Sequence, residues 1–149
     1  TFAYSQVHGT RVTMEDASVV TLHASSSGLA VLAHSPQDYV DQILAQNLEQ
    51  HTRKTITEPY KILALLEPIR GQGVAESEGG FEEDVHSFAT PIFDAHQICI
   101  GAIAVAAPVA RMDSALKALI LAELPKAGRM LTRKFGGFPP DGFPIGNVT

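Results

Sequence analysis

The feature that most constrains the fold is a pair of β-forming runs, His86–Phe93 and Ile98–Ala107, joined by Asp94-Ala95-His96-Gln97. A short polar turn between two apolar runs is the pattern of a hairpin, so the two are expected to pair antiparallel. The second run reads Ile-Cys-Ile-Gly-Ala-Ile-Ala-Val-Ala-Ala, without a charged residue. That composition predicts a central strand covered on both faces. Pro108 closes it. A shorter strand candidate, Val74–Glu78, precedes the hairpin and is separated from it by the acidic, flexible loop Gly79–Asp84.

Helical patterns surround these strands. Ser25–His34 reads as a first helix. Ser35-Pro36 predicts a restart, with Ser at the N-cap and Pro at the first helical position, and a second helix over Pro36–Asn47 with Tyr39, Val40, Ile43 and Leu44 on one side. Glu49–Thr57 is polar loop. Thr57 is expected to cap a third helix running to about Arg70, with Ile62, Leu63, Leu65, Leu66 and Ile69 apolar, ended by Gly71-Gln72-Gly73 and kinked by Pro68. Asp113-Ser114 opens a long last helix carrying Leu116, Leu119, Ile120, Leu124, Ala127, Leu131 and Phe135, bent at Pro125 and stopped by Gly136-Gly137. Phe138–Thr149 is Gly/Pro-rich and irregular. Before all of this, Thr1–Val7 reads as strand, His8-Gly9-Thr10 as turn, Arg11–Met14 as a short return strand and Glu15–Ser18 as loop. The sum is an α+β domain: a mostly antiparallel sheet with helices on its faces or ends.

The junction around residue 25 carries the first hint of chemistry. A β-like run through Val19, Val20 and Leu22 feeds His23-Ala24-Ser25-Ser26-Ser27-Gly28 and then an Ala/Leu-rich helix. The first N–H groups of a helix have no partner within it, and small side chains let a ligand approach them. Such an end favours anions. Ser25 also reads as an ordinary N-cap.

Composition excludes several classes. A net charge of −5 and few, scattered Lys and Arg do not make a nucleic-acid surface; Arg129, Arg133 and Lys134 read as a solvated face or as partners of a helix C-terminal dipole, not as a phosphate patch. One cysteine, Cys99, rules out an internal disulfide or a thiolate cluster, and its apolar setting reads as a buried structural thiol. No apolar run reaches the ~20 residues of a membrane span, so no membrane partner is expected. No signal peptide is visible. Thr1-Phe2-Ala3-Tyr4 already reads as strand and no Met precedes it, so the chain is expected to be a fragment missing its N-terminal part. No metal or other cofactor is expected: the six histidines lack the i, i+4 helical spacing of a zinc protease, and no Gly-x-Ser-x-Gly, Walker or dinucleotide fingerprint follows a strand.

Taken in order, the segments resemble the ligand-binding (effector) domain of IclR-type bacterial transcription regulators over about residues 3–137. Val7-His8-Gly9 resembles the family's strand ending in a Glu-Gly-like turn. Leu22-His23-Ala24-Ser25-Ser26-Ser27-Gly28-Leu29-Ala30 resembles its Leu-His-Ala-(Ser/Thr)-x-x-Gly-Lys-Ala segment. Thr55-Ile56-Thr57, Arg70-Gly71-Gln72-Gly73, Phe81-Glu82, Ala89-Thr90-Pro91-Ile92-Phe93-Asp94 and Ala102-Ile103-Ala104-Val105-Ala106-Ala107-Pro108 follow in the family's order and spacing.

The resemblance implies a GAF-like (profilin-like) curved sheet, with a small-molecule pocket between the sheet and the helix that starts near Ser25. It implies residues 1–137 as the effector domain, 138–149 as a tail, assembly as homodimers or tetramers, and a cytoplasmic regulator. DNA would be bound only through a winged helix-turn-helix that this chain lacks. Typical effectors are small organic acids, aromatic acids and phenols. The family's amide contacts to an effector carboxylate fall on Ser26 and Ser27, at the helix start that ends with Gly28. An acidic pocket position falls on Ser77, an often-Cys position on Ser87, and two pocket serines on Ala104 and Ala106. The family's Asp-Asp-Glu-Glu run stands here as Ser77-Glu78-Gly79-Gly80, and its usual Lys as Leu29. These departures point away from a small polar acid such as pyruvate and toward a larger or more apolar effector.

Two other classes compete. A hydrolase or isomerase would set Ser27 against His23 or His86 as base. A pure oligomerisation module would fill the pocket with its own side chains. Fold alone decides neither.

Overall fold

The computed structural model describes residues 21–144; the strand, turn and loop readings over residues 1–20 lie outside them. Helices α1 (Ser26–Ala33), α2 (Gln37–Leu44) and α3 (Pro59–Gln72) come first. Strands β1 (Ala75–Glu78), β2 (Val85–Phe93) and β3 (Cys99–Pro108) follow, then a short 3-10 turn at Val109–Arg111 and α4 (Ser114–Lys134). The sheet is antiparallel in the order β1-β2-β3.

The hairpin forms where its sequence placed it. Asp94 stabilises the turn: its Oδ1 accepts from the amides of His96 (2.8 Å) and Ile98 (3.0 Å), and Gln97 takes a left-handed φ of 63°. Among the described residues the order places β2 between β1 and β3. β2 carries the large side chains Phe88, Ile92 and Phe93, all buried, whereas Ile100 and Val105 of β3 are exposed.

Alternation along β2 assigns the two faces of the sheet. Ala89 joins Leu29, Leu32, Ile62, Leu66 and Val40 in a core under α1, α2 and α3. Phe88 joins Ile120 and Leu124 of α4 in a core on the opposite face. Gly128 lets α4 approach β2 closely, since a Cβ there would lie 2.5 Å from Thr90 Cγ2. Glu76 ties α4 to the sheet, accepting from His86 Nε2 and Lys117 Nζ, both at 2.7 Å. Burial raises the pKa of this carboxyl, but the bonds from Lys117 and His86 outweigh it and hold the group below its usual range.

Helix ends differ from their sequence readings in physical detail. Ser35 does not cap α2; its hydroxyl donates back to the Val31 carbonyl at 2.8 Å, and Pro36 is the N-cap with extended ψ. α2 ends at Leu44, three residues before Asn47, and Tyr39 faces solvent. Glu58, not Thr57, precedes α3, and Pro59 opens it with a φ already suited to a helix. Neither Pro68 nor Pro125 ends its helix. Of the apolar set on α4, Ile120 and Leu124 are buried while Leu119 and Phe135 are exposed. Asp113 caps it as expected, its carboxylate accepting from Leu116 N at 2.8 Å. The described part of the tail is irregular but packed, with the Phe143 ring against His34 and Phe93.

His34 makes folding pH-dependent. Its Nδ1–H donates to the Ala30 carbonyl at 2.9 Å. Burial pushes its pKa below the usual imidazole range; the bond to Ala30 opposes this and the Arg70 cation adds to it. A histidine with a lower pKa folded than unfolded binds fewer protons in the native state. The stability it contributes is complete above the unfolded pKa of about 6.5 and is lost as pH falls through that value, by at most about 1.4 kcal/mol per pH unit. Urea unfolding at pH 7.5 and 5.5 is expected to show a smaller loss in His34→Gln than in the parent. Equal losses would remove His34 as the cause.

Candidate functional site

The site starts from the turn before α1. Leu22–Ala24 form a turn, not the end of a strand, and Ser25 follows in extended geometry as the N-cap. Its Oγ accepts from Gly28 N at 3.0 Å and donates to the Thr21 carbonyl at 3.1 Å. Gly28 permits this tight turn. A Cβ at that position would sit 2.5 Å from the Leu22 Cα and the Thr21 oxygen, both backbone atoms that cannot rotate away. With the Gly28 amide taken by Ser25, the amides of Ser26 and Ser27 have no partner among the described residues. The first turn carries no acidic side chain to offset the positive end of the helix dipole.

The sheet supplies the facing wall. Pairing aligns Ser77 with Ser87 and Ser87 with Ala106, and likewise Ala75 with Ala89 and Ala89 with Ala104. Because side chains directly opposite on paired strands share a face, these rows lie on the α1 side. Between them and the start of α1 is a cavity of about 70 Å³, lined by Ser25, Ser26, Ser27, Ser77, Ser87, Ala104 and Ala106. Phe81, Glu82 and Val85 complete its wall.

Six of the seven residues singled out from sequence therefore meet at one cavity. Gly28 does not line it; its amide is spent on Ser25, and its contribution is the close packing that shapes the turn. Val85 could have been read from sequence, since it lies two residues before Ser87 and so on the same strand face. Phe81 and Glu82 could not: a loop has no side-chain period. Tertiary bonds set that loop in place. Thr52 Oγ1 donates to the Gly79 carbonyl at 2.5 Å and Thr55 Oγ1 to the Gly80 carbonyl at 2.7 Å. Arg53 pairs with Glu83 and Lys54 with Glu78, and the His51 ring leans on Phe81 at 5.0 Å.

The two histidines paired with Ser27 in the enzyme alternative are engaged elsewhere. His86 alternates with Ser87 and therefore faces α4, where it meets Glu76 and stacks on Phe88 at 4.8 Å. His23 Nε2 is bonded to the Glu49 carbonyl at 2.9 Å. Burial raises the pKa of the Cys99 thiol, which donates weakly to the Gly101 carbonyl. Among the described residues no group of three or more His, Cys, Asp or Glu is arranged to hold a metal.

Comparison with known proteins bears on the family and the fold. The family model described as "Bacterial transcriptional regulator IclR C-terminal" matches residues 7–133. A solved structure from Silicibacter sp. TM1040, assigned to the ICLR transcriptional regulators, superposes with a TM-score of 0.94 at 47% identity, covering 96% of this chain and 56% of that one. The C-terminal domain of the E. coli transcriptional regulator KdgR superposes with a TM-score of 0.71 at 28% identity, over 77% of this chain and 71% of that one. The HTH-type transcriptional regulator BhcR of Paracoccus denitrificans is 33% identical over 119 residues, 79% of this chain and 42% of its own length. The chain thus spans half or less of the length of the curated relatives it matches. The shared fold is the α+β arrangement that the sequence pattern predicts, in the GAF-like form that the resemblance implies.

Proposed function

The chain belongs to the family of IclR-type bacterial transcriptional regulator C-terminal domains, and on that premise we propose that it is the ligand-sensing part of a one-component regulator. It binds a small organic acid with an aromatic or otherwise apolar body, and passes the change to a winged helix-turn-helix elsewhere in the parent protein. Residues up to 137 form the sensing domain, and residues 138–149 are its tail. The parent works where the chromosome is, in the cytoplasm. No helix among the described residues is long and apolar enough to cross a membrane.

One observation carries this reading: Ser26 and Ser27, whose amides have no partner among the described residues, line the same cavity as Ala104 and Ala106 of β3. Amides at a helix start suit a carboxylate. The methyls of Ala104 and Ala106 neither donate nor accept, so a hydroxyl-rich acid would leave its groups unpaired there, at about 1–3 kcal/mol for each buried one. An apolar body gains instead from leaving water. The reading assigns Ser26, Ser27, Ser77, Ser87, Ala104 and Ala106 to the ligand and no residue to catalysis.

Calorimetric titration tests it. Benzoate is expected to bind at least about tenfold more tightly than pyruvate, a difference of about 1.4 kcal/mol. Tighter binding of pyruvate would mean that the two alanines do not meet the ligand.

The domain is also expected to self-associate as a dimer or tetramer. Leu119, Leu121 and Met130 of α4 and Phe135 at its C-cap stand exposed, apolar side chains that a second copy would cover. Sedimentation of the chain at ~100 µM, where even a weak micromolar interface is populated, checks this. A clean monomer would remove it.

A further inference from the structure

The serines of the cavity are not equivalent, and their hydrogen bonds give the site a direction. The Ser77 hydroxyl donates to the Ala24 carbonyl at 2.8 Å, and the Ser87 hydroxyl donates to the Ser77 carbonyl at 3.3 Å. A hydroxyl owns one proton and two lone pairs. With the proton committed, each of these oxygens can offer a ligand only lone pairs. Ser77 is the more firmly held: Ala24 is buried, and turning the hydroxyl toward a ligand would strip its carbonyl of the one partner the described residues give it. Glu82, exposed, lines the same cavity, and its carboxylate is a group that accepts only. The opposite wall differs in kind, because Ser26 and Ser27 present backbone N–H groups.

We propose that Ser77, Ser87 and Glu82 form an acceptor-only wall that makes the cavity select acids bearing a second group able to donate a hydrogen bond, a hydroxyl or an ammonium, on the side away from the carboxylate. This rests on the reading of the cavity as an organic-acid site. It adds that the second polar group must donate, and it makes Glu82 a specificity residue. An ether or carbonyl at that place would set lone pair against lone pair. A bare hydrocarbon would leave the wall's oxygens without a partner.

The test is calorimetric titration of the full chain with benzoate, 3-methoxybenzoate, 3-hydroxybenzoate and 3-(aminomethyl)benzoate. One of the two donors is expected to bind at least about tenfold more tightly than benzoate and 3-methoxybenzoate. If the aminomethyl compound leads, the group recognised is an ammonium and Glu82→Gln abolishes its advantage. If the hydroxy compound leads, the group is a hydroxyl and Ser77→Ala or Glu82→Ala reduces its advantage to within about twofold. Glu82 is exposed, so its variants fold even where Ser77→Ala does not. Binding of benzoate or 3-methoxybenzoate as tightly as the donors overturns the acceptor wall and leaves the organic-acid reading standing. No binding by any of the four at millimolar concentration overturns the apolar-bodied acid itself, and the wall with it.

Discussion

Ala106→Leu is expected to weaken binding of benzoate by about 100-fold or more, equivalent to about 2.7 kcal/mol, while leaving the fold intact. Ala106 stands opposite Ser87 on the cavity face of β3, and its methyl forms part of the wall. Three added carbon atoms would extend from this wall into the cavity a ligand would fill. Enlarging a packed core forces neighbours off their rotamers and destabilises. Here the new side chain grows into open space, so the melting temperature should hold or rise. Calorimetry and a thermal melt on the same preparation separate the two effects. Undiminished binding with an unchanged melt would place the ligand somewhere other than this cavity.

Phe88→Ala should do the reverse. Phe88 is 0% exposed and packs with Ile120 and Leu124 under α4, with the His86 ring stacked on it and Lys117 Nζ 5.4 Å from its centre. Removing a buried phenyl group loses its transfer energy and leaves a cavity that close-packed neighbours fill only in part. The expected cost is about 3–5 kcal/mol. For a domain of this size, each kcal/mol lowers the melting midpoint by about 2–4 °C. Urea unfolding is the measurement, and a loss under about 1 kcal/mol would mean that α4 does not seal this face. Since Phe88 and Ser87 point to opposite sides of β2, the fraction that stays folded should bind benzoate as the parent does.

The contrast between these two variants follows from one strand. Neighbours in β2 differ by one residue in sequence and by a whole face in space, so Ser87 serves the cavity and His86 and Phe88 serve α4. That alternation is readable from sequence once the strand is recognised. So were the hairpin turning at Asp94, the Ser25 and Asp113 caps, and the glycine stop at Gly73, because each depends on atoms within a few residues of one another. The gathering of Ser26, Ser27, Ser77, Ser87, Ala104 and Ala106 was anticipated from family resemblance, not from local pattern.

Other features escaped local reading for identifiable reasons. Among the described residues β2 lies between β1 and β3 and carries the large buried side chains Phe88, Ile92 and Phe93, a placement set by pairing between separate segments. The cap of α2 shifted because the Ser35 hydroxyl found the Val31 carbonyl one turn back. Gly28 was grouped with the ligand-facing residues, yet its amide closes onto Ser25 and its bare Cα fits against Leu22.

Sequence by itself determined what local stereochemistry and periodicity control: the α+β class, the elements among the described residues and most of their ends, and which side chains share a strand face. Tertiary structure alone decided what depends on distant segments meeting. It brought the loop of Phe81 and Glu82 onto the cavity through Thr52 and Thr55, and it turned His86 toward Glu76 and away from Ser27. It also committed the hydroxyl protons of Ser77 and Ser87 to carbonyls, the first of them 53 residues away in the chain. A residue type states how many hydrogen bonds a group can make; only the packed chain settles which of them are already made and which remain for a ligand.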